Sequence, residues 1–119
     1  MIQPQEIEVW YLLPAIRRKF ARCMIKKHGL SQRKTASLMG ITESAVSQYV
    51  NSKRAKDVQL GCELSKAVEL SVKKAVDEKS HFVTEIQGLL KLAYKEDVLC
   101  RIHKEYDEVP ENCALCGLK

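Results

Sequence analysis

Cys100, His103, Cys113 and Cys116 fall in the pattern C-x2-H-x9-C-x2-C near the end of the chain. Two ligand pairs, each with two residues between its members and a short loop between the pairs, allow four donors to converge on one tetrahedral ion. Three thiolates and one imidazole suit zinc or an iron–sulfur cluster, and spacing alone does not separate the two. Buried free cysteines, or a thiol pair that forms a redox disulfide, are the alternatives. A site with four protein ligands leaves no position open for a substrate. No glycine-rich phosphate loop or Ser/His/Asp arrangement accompanies it, so catalysis is not expected. The remaining two of the five cysteines stand alone: Cys23 follows an apolar helical stripe and reads as a small core residue, and Cys62 sits on a later helix. His28 and His81 lie near helix ends, where capping or surface roles are expected.

A second constellation is polar rather than metallic. Glu43, Ser44, Ser47, Gln48 and Asn51 share one face of a helix, while Val46, Tyr49 and Val50 share the other. Short and amide side chains in such a row match base edges in a DNA major groove. Gln48 suits the N6/N7 edge of adenine, Glu43 can accept from cytosine N4, and the serines can do either. Thr42, the N-cap of this helix, belongs to the same DNA-facing set. Gln32, Arg33, Lys53 and Arg54 flank the row and can hold phosphates.

Charge distribution agrees with an anionic partner. The 119 residues carry a net charge of +5, with 45% hydrophobic and 29% charged residues, an ordinary globular mix. Residues 17–56 hold eleven Lys or Arg against the single acid Glu43, a net of +10, whereas residues 57–119 hold nine bases and twelve acids, a net of −3. A stretch that basic repels itself unless something anionic binds it. No apolar run reaches the ~18 residues of a membrane helix, so no membrane partner is expected. The start, Met-Ile-Gln-Pro-Gln-Glu, lacks the basic region and apolar core of a signal peptide, and a cytoplasmic protein with reduced thiols is the expectation.

Helices must position both constellations. Only five glycines and three prolines interrupt the chain and no stretch alternates at period two for long, which predicts an all-α fold. Val9–Leu13 is either an extended arm or the lead into a first helix, with Pro14 in a first-turn position. Ile16, Phe20, Cys23, Met24 and Lys27 recur inward on that helix, Arg17, Arg18, Arg22 and Lys26 face away, and Gly29 ends it. Ser31 caps a second, short helix with Ala36 and Met39 inward. Gly40-Ile41-Thr42 is a tight turn, and Thr42 caps a third helix running to about Val50. Residues 51–56 form a basic loop. A fourth helix is expected over about 59–79, with Leu60, Leu64, Ala67, Val68, Val72, Ala75 and Val76 as its stripe. A fifth begins near Ser80, with Phe82, Val83, Ile86, Leu89, Leu90 and Ala93 inward. No linker separates the halves, which are expected to pack together.

Two short helices joined by a three-residue turn containing Gly40 form a helix-turn-helix plan. The run from Leu30-Ser31-Gln32 through Thr35-Ala36-Ser37-Leu38-Met39-Gly40-Ile41-Thr42-Glu43-Ser44-Ala45-Val46-Ser47-Gln48-Tyr49 resembles the phage-repressor/Cro-like (XRE) helix-turn-helix family. With the flanking helices the resemblance covers about residues 13–78. It implies a five-helix, lambda-repressor-like domain over 1–78, followed by a helical, cysteine-rich extension over 79–119. It also implies that Gln32 opens the second helix against phosphate and that Glu43, Ser44, Ser47 and Gln48 face the major groove. Glu43 departs mildly from the family, in which Gln, Arg or Ser is frequent there. The whole chain is similar to small archaeal regulators that join such a domain to a cysteine-bearing segment. Some of those carry further cysteines on the preceding helix. Residues 81–95 here have none, which favours zinc over an iron–sulfur cluster.

The resulting expectation is a sequence-specific, double-stranded-DNA-binding transcriptional regulator, a homodimer, whose C-terminal metal site is structural or sensory. The alternative is a coactivator- or antitoxin-like module that uses the same fold to hold a protein partner. No small-molecule substrate is evident.

Overall fold

Pro4–Ile7 (α1) begins a rod that continues through a π-helical turn at Glu8–Leu12 into α2, Leu13–Lys26. The computed structural model describes residues 3–51, 60–78, 80–96, 98 and 101–102. The wider turn falls just before Pro14, which has no N–H to give the carbonyl ladder, and the Leu13 N–H donates to the Glu8 carbonyl instead. The apolar run Val9–Leu13 is thus helical and not an extended arm. On α2 Ile16, Phe20, Cys23 and Met24 are buried, as their spacing predicts. Lys27 is exposed and not inward: its ammonium hydrogen-bonds Glu69 of a later helix. Arg17, Arg18 and Arg22 are half-buried rather than fully turned to solvent.

Gly29, at φ 65°, turns the chain out of α2, and the Leu30 N–H reaches back to the Met24 carbonyl at 3.1 Å. Next come α3 (Gln32–Met39) and α4 (Glu43–Asn51), then α5 (Cys62–Asp77) and α6 (Phe82–Lys95). The described residues are all-helical, as expected. α5 starts three residues later than the apolar stripe suggests. Gly61 (φ 87°) sets its beginning, and Leu60 is buried from outside the helix.

α2 is the hub. α4 and α5 both pack on it, α3 packs on α4, and α6 packs on α5. One apolar cluster runs from Ile7 and Leu12 through Phe20, Met39 and Tyr49 to Leu64, Val72, Phe82, Ile86 and Ala93. Each such large side chain removed from water contributes about 1.5–3 kcal/mol. Phe20 and Phe82 meet edge to face, with ring centroids 5.0 Å apart and planes at 86°. Tyr94 of α6 donates to a Glu8 carboxylate oxygen at 3.4 Å, tying α6 to the π-helical turn. Val83 does not point inward; it is 68% exposed, because Phe82 and Ile86 take the core side of α6.

Candidate nucleic-acid interface

Residues 31–51 build the candidate surface from two capped helices and one turn. Ser31 is extended, and its Oγ accepts from the Lys34 N–H at 3.0 Å, satisfying one of the open donors of α3. At the other end Gly40 adopts φ 68°, ψ 31°. The Ile41 N–H bonds the Ala36 carbonyl at 3.0 Å and the Gly40 N–H bonds that of Ser37 at 3.4 Å, a Schellman closure that needs the left-handed residue. Two residues later Thr42 Oγ1 accepts from the Ala45 N–H at 3.1 Å and starts α4. The turn between the helices is Gly40-Ile41-Thr42, as the sequence predicts.

α4 is held by its inner face. Val46 is fully buried and Tyr49 nearly so, Val50 is half-buried, and Ala36 and Met39 of α3 are buried as well. With that face fixed, helical geometry turns Glu43, Ser44 and Gln48 outward, and all three are exposed. Ser47 is half-buried, and its Oγ accepts from the Asn51 amide at 3.3 Å, so the two form one polar unit at the end of the row. Thr42 is exposed, with its hydroxyl oxygen engaged by the cap. Gln32 is half-buried and Arg33 exposed at the start of α3. Lys53 and Arg54 lie outside the described residues, as do the four candidate ligands Cys100, His103, Cys113 and Cys116. Among the described residues no group of three His, Cys, Asp or Glu could hold a metal ion.

Behind this surface the basic helix α2 carries groups that periodicity alone did not single out. The Nε atoms of Arg17 and Arg18 are out of water without a hydrogen-bond partner. Burial, then the nearby Arg22, holds the Arg18 guanidinium below its ordinary pKa. Lys27 and Lys19 both face Glu69, Lys19 at 3.7 Å. The hydrogen bond from Lys27 holds the Glu69 carboxyl below the usual carboxylate range and raises the Lys27 ammonium in return. Nothing in the spacing of one helix signals this cross-helix triad, because Glu69 is more than forty residues from either lysine in sequence. Cys23 is buried, and burial raises its thiol pKa, which fits a core residue. Cys62 is exposed. No helix among the described residues is long and apolar enough to cross a membrane.

Compared with known families, residues 22–73 match the model described as helix-turn-helix, from the last turns of α2 into the second half of α5. Comparison with curated proteins and with solved structures found no match.

Proposed function

From the DNA-binding helix-turn-helix domain of the phage-repressor/Cro-like (XRE) family that residues 22–73 form, we propose that the chain reads a specific duplex DNA sequence as a homodimeric transcriptional regulator. The observation that carries this reading is the division of α4, with Val46 and Tyr49 anchored in the core and Glu43, Ser44 and Gln48 presented outward. In the proposal Ser44, Ser47 and Gln48 contact base edges, with Asn51 bracing Ser47. Glu43 selects cytosine or keeps α4 off the nearest phosphate. Gln32, Arg33, Lys53 and Arg54 grip the backbone, and Thr42 sets the angle of α4 through its cap.

The test is selection of duplexes from a randomised pool by the full chain, followed by salt titration of the winning site. A defined motif is expected, with affinity falling steeply as salt rises. Gln48→Ala and Ser44→Ala each should relax preference at one position, at about 1–3 kcal/mol of discrimination. Equal retention of all sequences by the wild-type protein would sink the specific-reader proposal. A dimer follows from paired major grooves one helical turn apart, about 34 Å, and a two-fold symmetric selected motif tests it.

For the C-terminal segment we propose a Cys100, His103, Cys113 and Cys116 metal site, supported by spacing, with zinc favoured over an iron–sulfur cluster. Metal analysis and an absorbance spectrum of anaerobically purified protein separate the two. Colourless protein with one zinc per chain indicates a staple; a brown, absorbing sample indicates a cluster and sensing. Unchanged metal content in Cys113→Ser with Cys116→Ser rules the site out. A protein-binding module is the second reading, favoured by Val9 and Trp10, which are 57% and 55% exposed on the π-helical turn. Co-purification of a stable second polypeptide together with weak DNA binding by the free chain would support it.

A further inference from the structure

Between the end of α2 and α5 lies an open cavity of about 410 Å³. Cys23 of α2, Lys27 and His28 just beyond its end, and Lys66, Glu69, Leu70 and Lys73 of α5 line it. That volume lies within the range of small-molecule sites. Lys66, Leu70 and Lys73 stand at i, i+4 and i+7 on one stripe of α5, and Leu70 is 64% exposed between the two lysines.

The charges are not balanced within the cavity. Glu69 is engaged by Lys27 and Lys19, and among the described residues neither Lys66 nor Lys73 has a carboxylate within 4 Å, although Asp77 and Glu78 line the groove adjoining Lys73. Seven residues of helix rise about 10 Å, so an acid head held at either lysine leaves its hydrocarbon body lying over Leu70 and the Cys23 wall.

We propose that the groove between α2 and α5 is a binding site for a small amphipathic anion, an acid head group on an alkyl body. The lysine ammoniums hold the head, and Leu70 with the lysine stems covers the body. The cavity shares no residue with the outward row of α4. Its occupant joins α2 to α5 and so bears on the helix from which α3 and α4 hang.

The test is calorimetric titration of the full chain with octyl phosphate, octanoate, inorganic phosphate and octyltrimethylammonium, each below its micellar concentration. One-to-one binding of octyl phosphate or octanoate is expected, with the other two probes at least about tenfold weaker. The tighter of the two acids identifies the head group as phosphate or carboxylate. Lys66→Gln with Lys73→Gln, both at exposed positions, should weaken the alkyl acid about fivefold. Glu69→Gln, which releases Lys19 and Lys27, should tighten it. Absence of binding, equal affinity for the cationic amphiphile, or an unchanged affinity in the double lysine variant would overturn the proposal.

Discussion

Thr42 shows how much of this molecule depends on single oxygen atoms. Its Oγ1 accepts the Ala45 N–H and so fixes where α4 begins and which residues face out. Thr42→Ala should cost about 1 kcal/mol in denaturant-measured stability, and Thr42→Ser should recover most of it. The cysteines diverge in the same residue-by-residue way. Cys23 is buried with its thiol pKa raised and Cys62 is exposed, so iodoacetamide followed by peptide mapping of the folded protein should modify Cys62 and spare Cys23. Glu69 gives a pH signature. The Lys27 hydrogen bond lowers its folded pKa, so the unfolded chain binds more protons as the medium acidifies. The contribution is present above the ordinary carboxylate range and is lost as pH falls through the folded value. Wild type and Glu69→Gln should therefore differ in denaturation midpoint at neutral pH, and the gap should close as the medium is acidified below the ordinary carboxylate range.

At the scale of elements, the helix-turn-helix was legible in detail because its signals are local. Ser31, Gly40 and Thr42 each work within five residues of their own position, and each acts as its residue type predicts. Gly40→Ala is a clean test of the turn. A Cβ there would meet nothing within 4 Å, so the cost is backbone strain alone, about 1–2 kcal/mol by thermal or chemical denaturation. Gly40→Asn should lose less, since asparagine visits the left-handed region more readily. Gly61 differs: its φ is 87° and a Cβ would lie 3.0 Å from Arg101 Nη2, a contact across forty residues that local reading could not supply. The same limit explains the misassigned positions. Lys27 falls on the inward stripe of α2 by period, yet Glu69 of α5 draws its ammonium out to the surface. Val83 has the hydropathy of a core residue, but the angle at which α6 meets α5 gives the core to Phe82, Ile86 and Leu89. Periodicity fixes a face only to within a residue or so, and the partner helix decides the remainder.

For the whole molecule the question is whether α6 is an appendage to the DNA-binding half or part of its core. The net charge divides the chain into a +10 segment and a −3 segment, which invites a two-part picture. The packing runs across that division: Phe82 meets Phe20 edge to face, Ala93 and Leu89 join the same apolar cluster as Phe20 and Leu64, and Tyr94 bonds Glu8. Phe20 lies on the hub that also carries α4, so loosening α6 should be felt at α4. Phe82→Ala removes an aromatic ring that is 8% exposed and leaves Phe20 facing a cavity, at a cost of about 3 kcal/mol. Trp10 is the chain's one tryptophan and sits on the π-helical turn at the opposite end of the sequence from α6, so its fluorescence reports on the N-terminal half. If the core is continuous, Phe82→Ala should shift the fluorescence transition and the circular-dichroism transition together, as one cooperative unit. A fluorescence midpoint left at the wild-type value, with an early loss of helix signal alone, would instead mean that α6 unfolds by itself and that the helix-turn-helix half stands without it.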